Sequence, residues 1–150
     1  MSLEQQLIAW RRELHQNPEL SGEEVQTTAR LRQWLGDAGI TVLPYDLHTG
    51  VVAEVGKGDK QIALRADIDA LPIEERSGVA FTSQRPGVMH ACGHDIHTSV
   101  ILGAALKLKA REDALNGRVR ILFQPAEENF GGAKSLVRAG ALRDVSAIFG

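Results

Sequence analysis

The sequence predicts an α/β domain with a mixed, partly parallel central sheet flanked by helices. Three patterns point that way: two segments of helical periodicity at the start, three short β-branched runs after them, and then an alternation of strand, helix, strand, helix and strand. At 150 residues the chain suits one domain with its own apolar core. Its 43% hydrophobic and 24% charged residues match soluble globular proteins and exclude disordered or collagen-like chains.

The elements follow in order. Leu3, Leu7, Ile8, Trp10 and Leu14 recur at helical spacing until "NPEL" breaks the pattern at Pro18. In "SGEE", Ser21 precedes Glu24 by three residues, the spacing of a capping box, and Val25, Ala29, Leu31, Leu35 and Ala38 then predict a second helix over roughly 22–38, stopped by Gly39. "ITVLPY", "GVVAEVG" and "QIALRADID" read as successive strands, the third the most buried. After a loop over about 72–93, Val100, Ile101, Ala104, Ala105 and Leu108 predict a helix beginning near His94 or Asp95. "GRVRILFQP" is a strand that Pro125 must end, because proline cannot donate to a sheet ladder. "GGAKSLVRAGAL" reads as a short helix and "VSAIFG" as a last strand, left without a capping element, as expected of part of a longer protein.

Charge and apolar runs exclude several function classes. Lysine and arginine total 17 against 19 acidic residues, with no block of like charge that would suit a nucleic-acid arm. No apolar run is long enough to span a membrane. Glu4, Gln5 and Gln6 interrupt the apolar stretch a signal peptide would need. A single cysteine cannot form an intrachain disulfide, and a cytoplasmic setting is expected.

Three stretches place chemistry-bearing residues near strand ends, where ligands bind in open α/β sheets. "MHACGHDIH" offers His90, Cys92, His94, Asp95 and His97. In extended backbone Cys92 and His94 would leave on one side, and thiolate with imidazole suits Zn²⁺ and related ions. A lone Cys-x-His is weak evidence, and the more ordinary reading is a loop whose histidines face water and whose cysteine is buried as a small hydrophobe. A cysteine nucleophile would need a base distant in sequence, His15 or His48, and neither has an obvious orienting carboxylate nearby. In "QPAEEN", adjacent Glu127 and Glu128 diverge, so one carboxylate could ligate an ion while the other moves a proton; a solvated first-turn pair is the plain alternative. In "RADIDALP", Asp67 and Asp69 would share a strand face with Arg65, giving either a structural ion pair or a carboxylate that orients a ligand histidine.

Together with "RRELHQNPELSGEE", these stretches closely resemble the amidohydrolase branch of the dinuclear metallopeptidases. That branch includes aminoacylases, hippurate hydrolases, indole-acetyl-amino-acid hydrolases and N-acetyldiaminopimelate deacetylases. The resemblance covers the whole chain and carries "RADIDALP", "HACGHD" and "FQPAEE" in the family's order. It implies a dinuclear zinc-peptidase-like catalytic fold, with Cys92, His94 and Glu128 as metal ligands, Glu127 as general base and Asp69 as the active-site aspartate. Asp67, His90, Asp95 and His97 are expected to support those ligands, and His15 to serve packing. The implied cofactors are divalent ions (Zn, Mn, Co or Ni), two per complete site. The implied reaction is hydrolysis of the amide bond of an N-acyl amino acid or related small amide, with Glu127 taking a proton from water and returning it to the departing amine.

The resemblance also implies more chain than is present. Family members are more than twice as long and supply two further ligand histidines and an inserted dimerisation domain. Residues 1–150 are thus expected to be the N-terminal part of the catalytic domain, carrying three of five ligands, from a parent that is a monomer or homodimer. On its own the 150-residue chain is expected to be either active or a non-catalytic fragment with an incomplete metal site.

Overall fold

The computed structural model describes residues 1–150. Helix α1 spans Leu3–Gln16 and α2 spans Val25–Asp37. Strands β1 (Thr41–Val42), β2 (Val51–Gly56) and β3 (Gln61–Asp67) follow, then helix α3 (His94–Lys109), strand β4 (Arg118–Gln124), helix α4 (Gly132–Arg138) and strand β5 (Ile148–Phe149). The sheet runs β1-β2-β4-β3-β5. Its β1/β2 and β2/β4 pairs are antiparallel and its β4/β3 and β3/β5 pairs parallel, the mixed sheet expected.

Alternation along the central strands divides the core into two layers. Val51, Ala53 and Val55 of β2, with Ile121 and Phe123 of β4, face Leu14 of α1, Leu31, Trp34 and Leu35 of α2, and Leu102 and Ala105 of α3. The opposite face carries Val52, Ala63 and Leu122 against Leu136 of α4 and Ala141. Trp10 and Trp34 stack with ring centroids 4.7 Å apart, fixing α1 against α2. Buried Arg120 lies on the α4 face, where Glu54 (3.0 Å) and the Ala141 carbonyl (2.8 Å) satisfy its guanidinium.

Two local expectations are corrected. "ITVLPY" forms only the two-residue β1, because Pro44 and the bends after it leave the ladder. The Ser21/Glu24 capping box does not form, since Glu24 makes no side-chain bond to the helix start. Glu19 reaches forward instead, its carboxylate accepting from the amides of Gln26 (3.1 Å) and Thr27 (2.7 Å). A true capping box opens α1, where Ser2 and Gln5 exchange side-chain and backbone bonds.

What positions the site is the parallel β3/β4 pair. Asp67 registers with Gln124, so both strands leave the sheet at the same end, and the Ile68 amide still donates to the Gln124 carbonyl (3.0 Å). The start of α3 is tied to that end by the Thr98 hydroxyl, which donates to the Asp67 carbonyl (3.0 Å).

Candidate metal centre

Three segments converge beyond the carboxyl ends of β3 and β4. Ligand atoms of Cys92, His94 and Glu128 all lie within 4.8 Å of one another. Bonds of about 2.0–2.3 Å separate two ligand atoms on one ion by no more than about 4.6 Å. The trio therefore stands close to the span a single ion requires. Cys92 and His94 do not converge through extended backbone, as the sequence suggested. Gly93 adopts φ +84° and turns the chain into α3, so Cys92 is the exposed end of a loop and His94 the first residue of the helix.

His94 is oriented from behind. Its Nδ1 donates to the Asp69 carbonyl (2.8 Å) and lies 3.2 Å from Asp69 Oδ1. Its Nε2 faces the other way, 3.9 Å from one oxygen each of Glu127 and Glu128. Burial opposes charge on His94, but the Asp69 carboxylate and carbonyl and the nearby Asp67 outweigh it and raise its pKa to about 9. The Cys92 thiol is pushed up as well, by partial desolvation of this otherwise exposed residue and by the neighbouring carboxylates of Glu128, Glu127 and Asp67. So anionic a pocket suits a bound cation, which would stabilise both the thiolate and the clustered carboxylates.

Asp69 is held on several sides. Its Oδ2 accepts from the Ser21 hydroxyl (2.6 Å) and the Glu128 amide (3.0 Å). Burial alone would raise its pKa, but the bonds from His94, Ser21 and Glu128 bring it down to about 2. Glu128 Oε1 is buried without a hydrogen-bond partner. A buried carboxylate oxygen left unpaired beside a thiol and an imidazole makes a donor set that fits a divalent ion. Glu127, with a side chain about a third exposed, stands beside the trio and faces solvent.

The remaining candidates lie further out. Asp67 forms the structural ion pair, with Arg65 NH2 2.8 Å away; Arg65 serves Asp67 and not Asp69, because β3 ends at Asp67. His97 is exposed, its ring 5.7 Å from that of His94. Asp95 accepts from His15 Nδ1 (2.8 Å) and forms an ion pair with Arg11, whose Nε lies 2.8 Å away, which anchors the first turn of α3 to α1. Buried His90 has no partner at either ring nitrogen, and burial lowers its pKa to about 4 against the pull of Asp95. His15 is more than packing: its Nε2 also contacts Glu75 Oε1 (2.9 Å), so it joins α1, α3 and the loop after β3. With both ring nitrogens taken, His15 has none left to serve as base for Cys92, and His48 is exposed on the segment before β2. Sequence reasoning missed Ser21, Glu24 and Glu75. Only the run of polar residues in "ELSGEE" hinted at the first two.

Residues 63–150 match the family model described as peptidase family M20/M25/M40. The chain belongs to this family. Among M20 relatives, it is 51% identical to N-acetyl-L-cysteine deacetylase of Bacillus subtilis (strain 168), over 99% of this chain and 36% of that protein. It is 50% identical to IAA-amino acid hydrolase ILR1-like 4 of Arabidopsis thaliana, over 96% and 33%. The crystal structure of the Bacillus subtilis YXEP protein, described as a dinuclear metal binding peptidase of the M20 family, superposes with a TM-score of 0.96 at 51% identity, over 99% of this chain and 42% of that one. The chain thus spans about a third to two-fifths of the length of these M20 relatives. No helix is long and apolar enough to cross a membrane.

Proposed function

We propose that this M20 chain is the N-terminal part of the catalytic domain of a metal-dependent amidohydrolase that cleaves N-acyl amino acids or related small amides. The convergence of Cys92, His94 and Glu128, with Glu127 free beside them, is the observation that supports this reading. Relatives named as a deacetylase of an N-acetyl amino acid and a hydrolase of an indole-acetyl amino acid conjugate supply the substrate class.

In this reading Cys92, His94 and Glu128 hold a divalent ion (Zn, Mn, Co or Ni), and the complete site holds two. When bound, such an ion would supply Lewis acidity at this position, lowering the pKa of water and polarising a carbonyl. Glu127 takes a proton from water on its carboxylate and delivers it to the departing amine. Asp69 keeps His94 Nδ1 occupied, so that Nε2 presents its lone pair to the ion. The proposed setting is the cytoplasm, where a reducing poise keeps Cys92 available as a ligand.

A second reading concerns the 150 residues by themselves: one ion held weakly, and no turnover. It is favoured by a donor set of only three, Cys92, His94 and Glu128. Hydrolysis of N-acetyl amino acids by this chain, with and without added Mn²⁺ or Co²⁺, decides between them. Turnover that Glu127→Gln abolishes would exclude the second reading, and turnover that survives exhaustive chelation would exclude the metal reading altogether.

A further inference from the structure

Glu24 is fully buried, and its partners are a hydroxyl and a backbone amide, with no cation among them. One oxygen accepts from the Thr49 hydroxyl (2.8 Å) and the other from the amide of Ala126 (2.7 Å). Ala126 immediately precedes Glu127 and sits in the left-handed region, at φ +51°. Its carbonyl is held as well, by the amides of Gly131 (3.2 Å) and Gly132 (3.1 Å). The peptide that aims the two glutamates is therefore gripped at both ends in a conformation that alanine disfavours.

Three residues before Glu24, the Ser21 hydroxyl donates to the same Asp69 oxygen that accepts from the Glu128 amide. The segment carrying Ser21 and Glu24 is itself fixed. The Ala70 amide donates to the Glu19 carbonyl (2.8 Å), and the Glu19 carboxylate caps α2.

We propose that Ser21 and Glu24 are positioning residues that together set the geometry of the metal centre, Glu24 by holding the turn that carries Glu127 and Glu128, and Ser21 by holding Asp69 behind His94. The residues that break the predicted capping box are thus diverted to the site. This proposal rests on the metal reading above, but its structural half can be tested without a metal.

The test compares Glu24→Leu, Glu24→Gln, Ser21→Ala and Ser21→Thr with the unaltered chain. Two readouts are used: amide hydrogen exchange at Ala126 and Glu128, and Co²⁺ titration followed by thiolate-to-cobalt charge-transfer absorption. Glu24→Leu is expected to lose protection at Ala126 while β3 and β4 amides keep theirs, and to lose about 10- to 100-fold in Co²⁺ affinity. Glu24→Gln retains both, since its carbonyl can accept from Ala126 and its amide can donate to Thr49. Ser21→Ala, which opens little space, loses protection at Glu128 and a similar factor in affinity; Ser21→Thr restores them. If Glu24→Leu does not fold, the serine pair carries the test. Wild-type protection at Ala126 in Glu24→Leu, equal losses in Glu24→Gln and Glu24→Leu, or an unchanged Ser21→Ala would each overturn the proposal. A wild-type chain without the charge-transfer band would refute the metal reading alone, leaving exchange to judge the positioning role.

Discussion

Gly132→Ala should damage the site from a position that touches none of its donors. Gly132 is the buried first residue of α4, and a Cβ there would overlap the Pro125 carbonyl oxygen, with the Pro125 carbonyl carbon at 2.7 Å and Gln124 Cγ at 3.2 Å. Backbone atoms cannot swing away as a side-chain tip can, so the turn must open by on the order of an ångström. Opening it breaks the bonds from Gly131 and Gly132 to the Ala126 carbonyl, worth about 1 kcal/mol each. Residual overpacking adds about 1–3 kcal/mol. The expected loss is therefore about 3–5 kcal/mol, a large part of the roughly 5–15 kcal/mol that stabilises an ordinary domain. Urea denaturation should show this loss, with a fall of roughly 6–20 °C in the thermal midpoint. Gly131→Ala is the milder control, because the tightest contact of its Cβ would be the Asn129 side-chain oxygen, at 3.0 Å, which can turn aside. If Gly132→Ala melted with the unaltered chain and bound Co²⁺ equally well, the tightness of this turn would have no role in holding the site.

Further outcomes follow from other residues. Gly36 lies inside α2 with open space where a Cβ would go, so Gly36→Ala should stabilise the chain by about 0.5–1 kcal/mol in urea denaturation. Burial pushes the Glu75 carboxyl up, but bonds from the Ser77 hydroxyl, the Ser83 amide and His15 outweigh it and hold its pKa at about 2. A depressed carboxyl stabilises the fold above its ordinary value of 4.5, and that contribution disappears as the pH falls towards 2. Glu75→Gln should accordingly be less stable at pH 7 and lose less between pH 5 and 2, as read from urea midpoints across that range. Co²⁺ at a hundred times its dissociation constant should stabilise the chain by about 2.7 kcal/mol. Cys92→Ser should lose most of that gain in calorimetry, and an equal gain in the variant would remove the sulfur from the ligand set.

What the sequence made legible was whatever depends on periodicity and punctuation. Leu3 to Leu14 announced α1, Pro125 ended β4, and the apolar run behind His94 placed the start of α3 near His94 or Asp95, where it begins at His94. The candidate donors were legible as residue types near strand ends. Their supports were not, because those bonds join residues far apart in the chain: Ser21 reaches Asp69, and Glu24 reaches Ala126 across 102 positions. The same remoteness explains the misread cap at α2. Local spacing offered Ser21 and Glu24, but the tertiary structure claimed both, and Glu19 took the helix start. His15 was similarly opaque, since only the folded chain sets Asp95 and Glu75 on either side of its ring.

The parallel pairing of β3 with β4 also constrains the order of folding. Residues 68–117 must cross over before Asp67 can lie beside Gln124, and parallel closure over so long a span is slow compared with helix or hairpin formation. Cys92 and His94 belong to that crossover, whereas Glu128 follows the strand it delivers. No two-sided grip on an ion can exist until the slow step is over. On the proposed metal reading an ion would therefore not nucleate this fold but seal it, and the growth of a cobalt–thiolate band during refolding would time the final act of assembly.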